Sequence, residues 1–341
     1  MFREETNKKR IGTIIHGALG DCYEQLCAIR KLRQRDQTNS WVGFFAVKER
    51  LDAMRHFKLD MLDEIHLAEE ISVINVDYFY QFQVKDCELK SEVIDVLPDS
   101  IKSKFDLKHN KKPWSFIRLH DFRHSVLELE LSDAGKDYLP ICFKENGIDP
   151  AIFGRDLTIG YLWRYRSSGG ALRPYFQHPK DWIMRTKSEL FRRLIDEHGA
   201  RILICGMNKD AGTNEAIPED ILTRAGFVKG EYMSKFAEAR LDLPQDRCTY
   251  LKGIGYAAEM EIMSRCDLLL MMPSGFSEAL WMKQKAPVVL IDPPPDYMLR
   301  LAWNRMPLFN NNNPRYFYHN NFVKHSERNV IKFLKQRKLL P

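Results

Sequence analysis

Three groups of residues carry side chains and spacings suited to polar chemistry. The first is "HGALGD", 16–21, where Gly17 and Gly20 bracket a turn and Asp21 stands where a helix should begin. A carboxylate there is unfavourable for a phosphate, because an anion competes for the positive end of the helix. It suits a general base that takes the proton of an attacking hydroxyl. It equally suits a helix start whose macrodipole and free N–H groups favour an acid. The second group is "PSGFSE", 273–278. Gly275 permits close approach of an anion to the backbone, Ser274 adds a hydroxyl, and the N–H groups through Phe276 open the next helix. A diphosphate fits that chemistry, with Glu278 accepting hydrogen bonds from a ribose. The competing reading is a capped helix, Ser274 answering Glu278 as in a capping box. The third group is Arg164 and Arg166, followed by Ser167, Ser168, Gly169 and Gly170. The arginines could neutralise a leaving diphosphate, or lie in solvent.

Other constellations are weaker. His120 and His124 in "HDFRH" mimic a zinc-protease helix, but Asp121 replaces the glutamate, Arg123 would sit beside the cation, and no third ligand suggests itself. No Asp-x-Asp occurs, which argues against a metal-chelated diphosphate of the kind that motif supports, and with the weak His120/His124 pattern no metal site is expected. The glycine fingerprint of dinucleotide enzymes, GxSxG, Walker A and the kinase motifs are also missing.

The elements that must hold these groups are legible. "IGTIIHG", "WVGFFAV" (41–47) and "EIHLAE" (64–69) read as strands. Cys22, Leu26, Ile29 and Leu32 mark the buried face of a helix after the first of them. From 75 to 150 the pattern blurs: "VINVDYFYQF" and "SFIRLHDF" suggest strands, and "SDAGKDYLP" reads as a turn-rich approach to a boundary. A hinge is placed at "ENGIDPAIFGR", 145–155, for its Gly147, Pro150 and Gly154.

The second half alternates more cleanly. Strands are expected at 156–163, 201–205, 248–251, 267–272 and 287–292. A helix is expected at 183–200, and others in "EAIPEDILTRAG", "YAAEMEIMSR" and "GFSEALWMKQ". Continuous apolar strands between amphipathic helices imply a parallel sheet covered on both faces, a doubly wound α/β domain. In such a domain ligands meet the loops at the carboxyl ends of the strands. The loops to search are therefore "RYRSSGG" (164–170), "GMNKDAG" (206–212) with Met207, "KGIGY" (252–256) with Gly253, and "PSGFSE". A short basic helix, "ERNVIKFLKQRKLL", ends the chain with Val330, Phe333 and Leu334 on one face. It must pack on something larger.

Composition sets the outer limits. The chain has 341 residues, 44% hydrophobic and 29% charged, with a net charge of +6 spread along it. That suits an anionic small molecule or surface better than a nucleic-acid groove, which demands a dense basic stripe. Seven cysteines, most of them in apolar strand or helix patterns and none in a CxxC, read as buried free thiols of a reducing cytosol. The charged N-terminus shows no signal peptide, and no apolar run is long enough to span a bilayer. The expectation is a cytoplasmic protein, with room for peripheral contact with a membrane surface.

Taken together, these motifs resemble the heptosyltransferase-like glycosyltransferases, the GT9-type branch of the GT-B fold. The resemblance is carried by "HGALGD" (16–21), "IGYLWRYRS" (159–167), "FRRLIDEHGARILICG" (191–206), "GIGYAAEMEIMSRCDLLLM" (253–271) and "PSGFSE". It is continuous over about 156–292 and thin in the first domain outside 11–35. Pro273 stands where that family has aspartate, and Glu278 where it has histidine.

The resemblance implies two Rossmann-like domains facing across a cleft, 1–152 on the acceptor side and 153–312 on the nucleotide-sugar side. Residues 313–341 would carry the last helix back onto the first domain. It implies metal-independent, inverting transfer of a sugar from a nucleoside-diphosphate sugar to a hydroxyl of a glycan or lipid-linked acceptor, with no cofactor. Asp21 would be the base. His16, Gly17, Gly20, Arg164, Arg166, Met207, Gly253, Ser274, Gly275, Phe276 and Glu278 would contact substrate. A nucleotide-sugar epimerase or hydrolase of the same fold, and a non-catalytic nucleotide-sugar-binding protein, stand as alternatives.

Overall fold

The structure, a computed structural model, describes residues 9–16, 19–35, 37–80, 129–162, 184–205, 241–271, 287–291, 316–319 and 327–340. The chain divides into two compact units. One is Met1–Asp133 with Trp303–Pro307, and the other is Ala134–Ala302 with Leu308–Pro341.

Among the described residues, the first unit has four parallel strands: β1 (Arg10–Ile15), β2 (Ser40–Phe45), β3 (Glu64–Leu67) and β4 (Tyr78–Phe79). Their order across the sheet is β3-β2-β1-β4. Helix α1 (Leu19–Arg35) follows β1, and α2 (Lys48–Met54) follows β2. Apart from the half-buried first residue of each, β1 and β2 are buried along their length, as expected of parallel strands covered on both faces. Cys22, Leu26 and Ile29 of α1 are fully buried, as their helical spacing requires, while Leu32 is half-buried. Ile14, Val42, Phe44, Ile71, Val76 and Phe79 form a core cluster on this sheet. A Cβ on Gly12 would lie 2.6 Å from the Phe79 ring, so β1 needs a glycine for the ring to cross it.

Polar ties set the sheet's edge. Asp63 accepts from both terminal nitrogens of Arg33 (3.0 and 2.8 Å), from Ser40 Oγ (3.1 Å) and from the Trp41 N–H (2.8 Å). One carboxylate thereby joins α1 to the start of β2 and the approach to β3.

The second unit opens with α3 (Asp133–Glu145), where the sequence suggested a turn-rich boundary. Gly135 and Pro140 obscure it, yet Gly135, Leu139, Cys142 and Phe143 are its buried positions, a helical spacing. Then follow β5 (Thr158–Leu162), α4 (Met184–His198), β6 (Arg201–Cys205), β7 (Cys248–Tyr250), α5 (Tyr256–Ser264), β8 (Leu268–Met271), β9 (Val288–Ile291), β10 (Tyr316–His319) and α6 (Glu327–Gln336). The six described strands are parallel, in the order β10-β9-β8-β5-β6-β7. Gly160 lies mid-strand in β5. A Cβ there would come within 2.5 Å of Met263 Cε and 2.6 Å of Leu269 Cδ2, so the glycine lets α5 press closely on the sheet.

Two sequence expectations are corrected. The 145–155 stretch does hold turns, with Gly147 at φ +62 and Gly154 at φ +87, but the units divide earlier, between Asp133 and Ala134. The reason is that α3 and the residue after it are bonded to the second unit: Asn146 pairs with Lys252, Tyr138 bonds Gly253, and Arg265 lies over the Phe143 ring. The last helix, expected on the first domain, is grouped with the second unit. Val330, Ile331 and Leu334 enter the second unit's core beside Leu190 and Leu194 of α4, and Arg193 lies 3.8 Å from Glu327. The separate 313–341 segment is thus part of the second unit. β10, which the sequence did not reveal, extends its sheet beyond β9.

Candidate functional site

Strand order decides where each unit can bind a ligand. In the second unit the chain lays down β5, β6 and β7 in one direction, then returns to place β8, β9 and β10 on the other side of β5. The order reverses between β5 and β8, and an open parallel sheet offers its crevice at the carboxyl ends of the strands flanking the reversal. β5 and β8 are in register there, Tyr161 beside Leu270, so the chain leaves both strands at neighbouring points. The segment after Leu162 carries Arg164 and Arg166, and the segment after Met271 carries Ser274, Gly275, Phe276 and Glu278. The start of the pair is fixed too: Asp267 Oδ2 accepts from the Thr158 N–H (2.8 Å) and Thr158 Oγ1 (3.0 Å).

The first unit repeats the plan, its order reversing between β1 and β4. The residues after β1 are His16 and the glycine turn. His16 is buried, and its carbonyl accepts from Gln25 Nε2 at 2.7 Å, with Cys22 Sγ at 3.7 Å. These bonds tie the end of β1 to the second turn of α1. That helix is fastened at its far side by Tyr23, whose hydroxyl accepts from the Leu129 N–H (3.0 Å) and whose ring meets Phe57 edge-on. Gly20 and Asp21 therefore lie in the first turn of an anchored helix, at the carboxyl end of β1.

The remaining described candidate is Gly253, just past the end of β7. It adopts φ +70, a left-handed conformation natural to glycine, and leads through Gly255, in extended conformation, into α5. Gly17, Arg164, Arg166, Met207, Ser274, Gly275, Phe276, Glu278 and the side chain of Asp21 lie outside the described residues, as do His120 and His124. The structure thus brings His16, Gly20 and Asp21 to one strand end in the first unit. In the second it places Gly253 at the carboxyl edge of the sheet and fixes the strands from which the other candidates depart.

No local sequence signal marks the residues that hold the Gly253 turn. Asn146 bonds both peptide groups of Lys252, and Tyr138 Oη donates to the Gly253 carbonyl at 3.3 Å. Burial, then the neighbouring Cys142, push the Tyr138 phenol up to about 12, so it stays a donor at neutral pH. The six described cysteines are free and buried. Burial raises Cys205 and Cys266, with Glu259 adding to the effect on Cys205, so neither is a thiolate nucleophile at neutral pH. Among the described residues, no three His, Cys, Asp or Glu side chains converge as a metal site requires, and no helix is long and apolar enough to cross a membrane.

No protein-family model and no curated protein sequence matches the chain. Solved structures do. The chain is similar to the Escherichia coli ADP-heptose lps heptosyltransferase II, at 15% identity over 97% of this chain and 98% of that one, with a TM-score of 0.54. It is similar to a glycosyl transferase of family 9 from Veillonella parvula at 15% identity, 97% of each chain and a TM-score of 0.56. The E. coli heptosyltransferase WaaC, solved with ADP, gives 10% identity, 96% and 98% coverage and a TM-score of 0.53. These likenesses establish the class of fold: an α/β chain of the GT-B type, with two units each built on a parallel sheet. Its fold is similar to that of the two heptosyltransferases and the family 9 glycosyl transferase along nearly the whole chain.

Proposed function

We propose that the protein is a glycosyltransferase that moves a sugar from a nucleoside-diphosphate sugar to an acceptor hydroxyl, with inversion and without a metal ion. One observation carries the reading. The segments that sequence chemistry singles out follow β1 in one sheet and β5 and β8 in the other, the strands where each sheet reverses its order. The fold supports it, since structures of that fold include sugar transferases, one solved with ADP.

The second unit takes the donor. Backbone N–H groups at Ser274–Phe276 and the guanidinium groups of Arg164 and Arg166 hold the diphosphate, and Glu278 accepts from the ribose. Met207 and Gly253 line the same edge. The first unit takes the acceptor, a hydroxyl of glycan or glycolipid class. The carboxylate of Asp21 accepts the hydroxyl proton as the oxygen forms its bond to the anomeric carbon. The bond from that carbon to the diphosphate breaks, and its electron pair leaves with the nucleoside diphosphate. Fixed N–H dipoles and guanidinium charges stabilise the departing anion, a task divalent metals perform in other enzymes.

Asp21→Ala tests the assignment. Transfer is expected to fall by about 10²–10⁴-fold, as for loss of a general base, with nucleoside-diphosphate affinity within about twofold of wild type. Turnover near the wild-type rate would remove Asp21 from the role. Incubation with donor alone should give no epimerised sugar.

A further inference from the structure

We infer that Asn146 and Tyr138 are positioning residues that hold the Lys252–Gly255 turn in the backbone conformation a bound nucleotide meets. The inference rests on the proposed function, in which that turn belongs to the nucleotide-sugar site.

The geometry begins at the sheet edge. Among the described strands β7 pairs only with β6. The Leu251 N–H still donates towards β6, to the Ile204 carbonyl at 2.8 Å. In an extended chain the peptide groups of the next residue point the opposite way, away from the sheet. Those groups of Lys252 are met by one side chain. Its N–H donates to Asn146 Oδ1 at 2.8 Å, and Asn146 Nδ2 donates to its carbonyl at 3.2 Å. The carboxamide thus replaces a neighbouring strand for a single residue.

Asn146 is itself fixed. Its Nδ2 also donates to the Cys142 carbonyl of α3 at 3.0 Å, and its N–H donates to the same carbonyl at 3.1 Å. One acceptor facing an N–H and one amino group facing two carbonyls leave a single orientation of the amide consistent with all three partners. Gly147, directly after it, is left-handed at φ +62, which turns the chain away and leaves the Asn146 side chain against the turn. The second hold is one residue further along, where Tyr138 Oη reaches the Gly253 carbonyl. Gly253 at φ +70 then bends the chain towards the N-terminus of α5. A turn with a left-handed glycine has many alternatives open to it in isolation. Two side chains from one helical segment select among them, and a ligand that binds only the selected form gains by not having to select it.

The experiment measures calorimetric affinity for ADP, GDP, CDP and UDP, together with amide hydrogen exchange, in wild type and three variants. Asn146→Ala removes both bonds to Lys252. Asn146→Asp keeps the acceptor for the Lys252 N–H. Tyr138→Phe removes only the hydroxyl. For whichever nucleotide the wild type binds best, Asn146→Ala is expected to bind about fivefold more weakly and Tyr138→Phe about twofold, with Asn146→Asp between Asn146→Ala and wild type. Exchange at the Lys252 and Gly253 amides should quicken about fivefold in Asn146→Ala, while β5 and β8 remain protected as in wild type. Undiminished affinity in both Asn146→Ala and Tyr138→Phe, beside a wild type that binds, would overturn the inference alone. Loss of protection throughout the second unit would overturn it too, by making Asn146 a general stabiliser. A wild type that binds none of the four nucleotides would overturn the proposed function, and this inference with it.

Discussion

At the scale of single residues, the close approaches are where chemistry and packing are most sharply specified. Gly160 is the clearest case. Its neighbours leave no room for a branched side chain between β5 and α5, and β5 is one of the two strands flanking the proposed donor site. Gly160→Val is expected to destabilise the protein by about 1–3 kcal/mol through overpacking, read as a lower urea midpoint without a change in slope. Its nucleotide affinity should also fall if the segments after β5 and β8 form one site. Asp21 was legible as a candidate because a carboxylate in a glycine turn conflicts with phosphate binding and so asks for another role. Gly253 was legible because glycine stands where a strand must turn into a helix. Asn146 and Tyr138 were not. An Asn followed by Gly reads as a helix end or hinge, and nothing local signals that its amide bonds a residue 106 positions along the chain.

At the scale of elements, sequence reading succeeded wherever apolar periodicity was continuous. The strands at 10–15, 40–45, 64–67, 158–162, 201–205 and 268–271 fall within a residue or two of expectation. It failed where local signals contradicted the tertiary outcome. Gly135 and Pro140 hid α3, whose helix is secured by burial of Leu139, Cys142 and Phe143. Asparagine-rich surroundings hid β10, which pairs along its length with β9. The α6 helix was recognised by its apolar face, but a face does not name its partner, and burial against α4 decided the matter.

Asp63 shows what ties elements together and gives a pH test. Burial pushes its carboxyl up, but the Trp41 N–H, Arg33 and Ser40 together hold it below its ordinary value. A carboxyl lowered by folding stabilises above its unfolded pKa of about 4 and loses that contribution as pH falls through its folded value. Asp63→Asn is therefore expected to cost about 1–2 kcal/mol at pH 7. Its gap from wild type should narrow below about pH 4, as followed by denaturant unfolding across pH. A gap independent of pH would remove the carboxylate's charge from the explanation.

At the scale of the whole molecule, the doubly wound class followed from alternating strands and helices, but strand order did not. Both sheets place their first strand inside and reverse beside it, β1 against β4 and β5 against β8. That arrangement gives the candidate residues a shared logic that spacing alone could not supply. It also explains why identities of 10–15% coexist with a fold matched along nearly the whole chain: parallel strands demand apolar character rather than particular residues. The central claim is that a nucleoside diphosphate is held by the backbone after β8. Isothermal titration of wild type and Gly275→Val with ADP, GDP, CDP and UDP, in the presence of a metal chelator, tests it most directly. Expected is binding of at least one nucleotide by the wild type and a loss of about tenfold or more in Gly275→Val, where a side chain obstructs the anion's approach. Equal affinity in the two proteins, or no binding by either, would contradict it.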